Sequence, residues 1–170
     1  EGSAAFPVAT LNRGLALAST QQKAYVLVTG ERYYENVVLI SGISLLGGYS
    51  SSFRTRDTIG NPTTLEGVAT NKALEIGTVT AIDINSATTE VSGFAIIGRS
   101  ATQAGQRSYG VYVRNCDSHL VLQGNTITAG DGMPGTRGNN GTAGTEGGAG
   151  AAGGAAKAAG SAGKACTGSN

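Results

Sequence analysis

Val91-Ser92-Gly93-Phe94-Ala95-Ile96 and Leu122-Gln123-Gly124-Asn125-Thr126-Ile127 are one phrase written twice, 31 residues apart: an apolar run, a glycine corner, a second apolar run. A second pair, Ala81-Ile82-Asp83-Ile84-Asn85-Ser86 and Gly110-Val111-Tyr112-Val113-Arg114-Asn115, aligns at an offset of 29. Earlier, Gly42-Ile43-Ser44-Leu45 keeps the order of Gly93-Phe94-Ala95-Ile96. Self-similarity at about 20–30 residues, with two or three strand-sized runs in each repeat, is the arithmetic of a β-solenoid: no repeat buries its apolar face alone, so each stacks on the last.

Outward from this core, short apolar runs recur from Tyr25–Val28 through Val37–Ile40, Ile43–Leu46, Thr64–Leu65, Ala73–Ile76, Ala81–Ile84, Phe94–Ile97, Gly110–Val113 and Leu120–Leu122 to Thr126–Thr128. Most alternate, as in Ile82-Asp83-Ile84 and Val111-Tyr112-Val113, which sends the outer two side chains inward and the middle one out. No Asn-Gly or Asp-Gly joins two of these runs, which argues against an antiparallel sandwich. The exception is 9–19, where Leu11, Leu15 and Ala18 recur at helical spacing behind Thr10, a hydroxyl suited to an N-cap. One short helix ahead of many strands suits a cap that covers the first coil and shields its edge. The expected fold is all-β: a solenoid of about five coils over 1–129, with a capping helix at about 9–19.

The remainder, 130–170, obeys another rule. Glycine stands at 132, 135, 138, 141, 144, 147, 150 and 153, an unbroken triplet phase. A collagen triple helix wants this spacing but also roughly 15–20% proline, and Pro134 stands alone here. A flexible linker is the default for such composition, whereas strict periodicity favours order. The tail is therefore read as polyglycine-II-like or extended, with self-assembly through it or through the solenoid ends as its use.

Charge removes two classes of partner. Twelve Lys+Arg against 11 Asp+Glu leave a net charge of +1, with 14% charged residues in 170. That is no footprint for nucleic acid and no basic face for an anionic membrane. No apolar run reaches the roughly 20 residues of a membrane span. Residue 1 is Glu, so the chain reads as a mature or excised segment.

Several segments carry a resemblance. Gly2-Ser3-Ala4-Ala5-Phe6-Pro7, then Thr10-Leu11 and a helix, then Ala24–Val37 with its Tyr25-Val26-Leu27-Val28, Gly30, Tyr34, Glu35 and Val37, lead to Ile43-Ser44-Leu45-Leu46-Gly47-Gly48-Tyr49 and Phe53, Arg54, Arg56, Asp57. This order resembles the opening of secreted bacterial right-handed parallel β-helix proteins of the pectate-lyase-like superfamily. Val91–Gly98 and Gly110–Ile127 are similar to its recurring coils. The resemblance covers about residues 1–130. It implies a right-handed parallel β-helix and an extracellular or cell-surface setting. It does not choose an activity, because such folds host lyases, hydrolases, adhesins and scaffolds alike.

Catalysis would need clustered groups: carboxylates for calcium with a basic residue in a lyase, or two to three carboxylates on neighbouring coils in a hydrolase. Asp83, between two inward isoleucines, points to solvent, and the 29-residue offset sets Tyr112 rather than an acid at its equivalent position. Asp57 beside Arg54 and Arg56 reads as an ion pair holding a loop. His119 beside Asp117 is the single histidine and makes no metal site alone. No catalytic residue, metal or cofactor is assigned.

The sharpest binding reading is an outward stripe of Tyr25, Tyr49, Tyr109 and Tyr112 with Arg99, Arg107 and Arg114. Rings stack on sugar C–H faces and Arg donates to hydroxyls or carboxylates; alternatively the tyrosines only finish the edge of the stack. Given the secreted resemblance, Cys116 and Cys166 are expected to form a disulfide holding the tail, which chain entropy makes worth about 4 kcal/mol; two unrelated thiols are the alternative. The functional expectation is an extracellular structural or adhesion module without catalysis, with an extracellular polysaccharide or surface glycan as partner. The alternative is a polysaccharide lyase or glycoside hydrolase.

Overall fold

The computed structural model describes residues 1–69 and 77–154, so the run expected at 73–76 lies outside the described residues. The chain divides into two units, Glu1–Arg137 and Gly138–Asn170. In the first, helix α1 (Leu11–Thr20) precedes β1 (Tyr25–Thr29), β2 (Arg32–Tyr34), β3 (Val37–Val38), β4 (Ser44–Tyr49), β5 (Thr63–Glu66), β6 (Val79–Ile82), β7 (Thr89–Ser92), β8 (Phe94–Ile97), β9 (Val111–Arg114), β10 (Leu120–Gln123) and β11 (Thr126–Thr128). The sheets read β1-β4-β7-β10, β2-β5-β8-β11 and β3-β6-β9. Every strand pairing in them is parallel. Among the described residues the chain thus visits three sheets in fixed order, completes three turns and adds two strands of a fourth. It is a solenoid-like parallel β fold with one short helix. Three strands per turn, the upper of the two expected values, leaves fewer than the expected five coils among the described residues.

The register explains the repeat and corrects half of it. Val91 stands on Leu122 and Ile96 on Ile127, the 31-residue spacing read from sequence. Val79, however, stands on Val111 and Ile82 on Arg114, a spacing of 32 rather than 29. Alternation misled the alignment because β6 ends at Ile82. Asp83 turns the corner at φ 57, as Asn115 does at φ 52 one coil later, so Ile84 belongs to the stretch beyond. Asn115 Nδ2 donates to Asp83 Oδ1 at 2.5 Å, and Asn115 is therefore the true equivalent of Asp83.

Inside, each sheet contributes one aliphatic row. Leu45, Val91 and Leu122 are in register in the first, Leu65, Ile96 and Ile127 in the second, Val37, Val79 and Val111 in the third. The middle members are essentially inaccessible, and each such side chain contributes about 1.5–3 kcal/mol by leaving water. In the last coil of this unit Val113, Leu122 and Ile127 remain 47%, 39% and 46% exposed. Glycine is needed where sheets meet. A Cβ on Gly47 would lie 2.7 Å from the Gly93 carbonyl, and Gly93 itself takes φ +77.

Helix α1 seals the other end of this row by burying Leu11, Leu15 and Ala18 in the same cluster. It starts at Leu11 rather than 9 because Thr10 is extended and its Oγ1 accepts Arg13 N–H at 3.2 Å. Glu35, on the first coil, adds a second cap: its carboxylate accepts Leu11 N–H at 2.7 Å, Asn12 N–H at 3.1 Å and Asn12 Nδ2 at 2.6 Å. In the second unit, 138–154 form no regular secondary structure and are exposed. A Cβ on any glycine there would meet no atom within 4 Å.

Candidate functional site

The outer face of β9 is set by its inner one. Val111 and Val113 stand on Val79 and Ala81, both fully buried, so Tyr112 and Arg114 turn outward. Tyr109 enters just before β9, its carbonyl accepting Thr78 N–H at 3.1 Å. Its ring lies 5.4 Å from that of Tyr112, tilted by 56°, a spacing at which aromatic pairs attract edge to face. Arg99 and Arg107 line a small polar cleft of about 40 Å³ together with Tyr109, Asn36, Thr78 and Gln106. The loop carrying both arginines is held internally: Gln106 Oε1 accepts Thr102 N–H at 3.0 Å and Gln103 N–H at 3.3 Å. The same loop is held to the next turn by Gly98 N–H to Thr128 O at 2.7 Å and Ala101 N–H to Asp131 O at 2.7 Å.

The fold thus gathers Arg99, Arg107, Tyr109, Tyr112 and Arg114 along one side of the third sheet. It sends Tyr25 and Tyr49 elsewhere. Both lie on the first sheet, in β1 and β4, and Tyr49 sits under the Arg56 guanidinium, 5.9 Å from its ring centroid. The single stripe of four tyrosines separates into two places because Tyr25 and Tyr49 lie on strands of the first sheet, whereas Tyr112 lies on β9 of the third with Tyr109 just before it.

Arg56 is not paired with Asp57. Its Nε donates to Gly47 O at 2.8 Å and its Nη2 to Ser92 Oγ at 2.7 Å and Ser92 O at 3.3 Å. Asp57 Oδ1 instead accepts the N–H groups of Ile59 and Gly60, both at 3.0 Å. These amides, Gly60 first, hold the Asp57 carboxyl below its ordinary range. Sequence reasoning missed that Asp57, Arg56, Glu90 and Gln123 line one open cleft of about 430 Å³. Glu90 reaches it from β7, a whole turn further along the stack, and the β4–β7 pairing places both residues on the lining of the same cleft.

His119 Nδ1 lies 2.7 Å from Asp117 Oδ1. The backbone N–H of His119, followed by its ring, holds the Asp117 carboxyl below the usual range. Asp83 is exposed, as expected. Cys116 is half-buried, its Sγ donating to Arg114 O at 3.4 Å, while Cys166 lies outside the described residues. Among the described residues, no group of three or more His, Cys, Asp or Glu is placed to hold a metal ion, and no helix is long and apolar enough to cross a membrane.

No protein-family model matches this chain, and no curated protein or solved structure matches it.

Proposed function

We propose that the chain is a right-handed parallel β-helix of the pectate-lyase-like type that serves at an extracellular or cell surface as a structural and adhesion module. Its binding face for a polysaccharide or surface glycan is Tyr109, Tyr112 and Arg114 with the Arg99–Arg107 cleft. The right hand follows from the strong preference of parallel crossover connections for it. The observation that carries the binding role is the Tyr109–Tyr112 pair at 5.4 Å beside a cleft lined by two guanidinium groups. Rings supply a flat apolar platform for a sugar face, and guanidinium groups supply forked donors for hydroxyls or carboxylates. The glycine triplets of the tail then serve assembly, since a Cβ at Gly135, Gly138, Gly141, Gly144, Gly147, Gly150 or Gly153 would meet no atom within 4 Å, which leaves these positions open to neighbouring chains.

The test is co-sedimentation with insoluble acidic and neutral polysaccharides, scoring retained protein and released unsaturated or reducing ends together. Retention that falls at least tenfold in a Tyr109→Ala/Tyr112→Ala variant of unchanged melting temperature is the expected result. No retention on any polysaccharide would overturn it. The Asp57–Glu90 cleft favours one competing reading, a glycoside hydrolase, because two carboxylates from neighbouring turns share it. Release of reducing ends that disappears in Glu90→Gln would establish that reading instead.

A further inference from the structure

Strand β1 begins the first sheet and is paired on one side only, with β4. Ser44 N–H donates to Ala24 O at 2.8 Å, which fixes the phase of the ladder. In a strand, the backbone groups of successive residues turn to opposite sides. Ala24, Val26 and Val28 therefore serve β4, and the N–H and C=O groups of Tyr25 and Leu27 face outward. No other described backbone group bonds to them. Helix α1 covers the interior row but leaves this edge open, so the shielding expected of the cap is incomplete.

A slot runs along the edge. Two adjoining cavities of about 420 and 390 Å³ share Pro7, Val8, Val26, Leu27 and Phe53 as walls. The N-terminal segment and α1 line one side, β1 the other. Lys23 lines the end where β1 begins and Glu31 the end where it stops, and both are exposed. The slot thus offers a row of unpaired backbone donors and acceptors, apolar walls, and opposite charges at its two ends. An extended chain is the one shape that answers all three, since strand addition uses backbone hydrogen bonds for affinity and alternate side chains for selectivity.

We propose that this slot binds an extended peptide of another polypeptide, matching the five residues of β1, which adds to the sheet as a further strand. Its alternate apolar side chains enter the wall formed by Val8, Val26 and Phe53. It carries an acidic residue at the Lys23 end and a basic residue at the Glu31 end. The site is on the first sheet and does not depend on the carbohydrate face of the third.

The experiment uses the full chain and a labelled synthetic heptapeptide in which valine and threonine alternate between a terminal glutamate and a terminal lysine. Anisotropy titration should give saturable binding, with new hydrogen-exchange protection at the Tyr25 and Leu27 amides. A peptide with proline at its centre should not bind, because it lacks the central donor. Lys23→Glu should weaken the glutamate–lysine peptide by about 1.5-fold to fivefold, the scale of an exposed ion pair, and a peptide with lysine at both ends should recover the loss. Absence of binding at 1 mM peptide, equal binding of the proline peptide, or protection elsewhere than Tyr25 and Leu27 would overturn the proposal. So would a concentration-dependent dimer of the chain that buries this edge and excludes the peptide.

Discussion

Arg56 shows how one side chain ties two turns of the stack. It spans from Gly47 O to Ser92 O and Oγ, one residue on each of two adjacent strands, and lies over Tyr49. Arg56→Ala should lower stability by about 1–3 kcal/mol, the range for losing charged hydrogen bonds from carbonyls that then face a partly dry corner. Arg56→Lys should recover less than half, because a point charge cannot repeat the fork; urea denaturation measures both. The carboxyls of Asp57 and Asp117 give a pH-dependent prediction. Backbone amides of Gly60 and His119, respectively, lead in holding them below their ordinary values. Folded, they bind protons less readily than unfolded. Their stabilisation is therefore present above about pH 4, the ordinary carboxylate value, and lost as pH falls through the lower folded values. Thermal melts between pH 5 and 2, a range of about 3 units around that value, should fall less steeply for Asp57→Asn/Asp117→Asn than for the unaltered chain. An unchanged slope would contradict the assignment. These roles were partly legible: Asp57, Arg56 and His119 stood out as residue types, but neighbours alone suggested an Asp57–Arg56 pair where the fold assigns each to backbone groups.

Among the elements, the helix was the easiest to read and its anchoring the hardest. Leu11, Leu15 and Ala18 mark its buried face and Thr10 its cap from local spacing alone. Glu35 caps it from 24 residues away, and no local pattern marks such a partner. Its carboxylate meets the positive end of the helix and two of the free N–H groups there. Glu35→Ala should therefore cost about 1–2 kcal/mol, and Glu35→Gln somewhat less, since one amide oxygen still accepts. Thr10→Ala should cost about 1 kcal/mol. If the double variant lost no more than either single one, the two caps would not be acting on separate N–H groups; chemical denaturation with helical circular dichroism reads this. Most strands were legible as runs, but β2 was not among them, the run read at 81–84 caught only the end of β6, and the corners were not legible. The 29-residue alignment failed because Asp83 and Asn115 occupy left-handed corners, which Asp and Asn tolerate without the glycine that marks other corners.

For the whole molecule, topology makes stability uneven along the stack. A solenoid is held by contacts between neighbouring turns, so a side chain with a turn on both sides contributes more than one at a free end. Leu45 lies between β1 and β7 in register and is fully buried, whereas Leu122 stands on Val91 alone and keeps 39% of its surface in water. Leu45→Ala should cost about 2–5 kcal/mol by removing methylenes and leaving a cavity. Leu122→Ala should cost clearly less, about 1 kcal/mol, because water already reaches the site and no closed cavity is left. Native-state hydrogen exchange should follow the same gradient: amides of β4, β7 and β8 exchange only through global opening, and those of β10 and β11 through cheaper local fraying. Equal losses at Leu45 and Leu122, together with uniform protection from β4 to β11, would mean that the last turn is covered in solution, for which a second copy meeting Val113, Leu122 and Ile127 is the arrangement to seek by sedimentation.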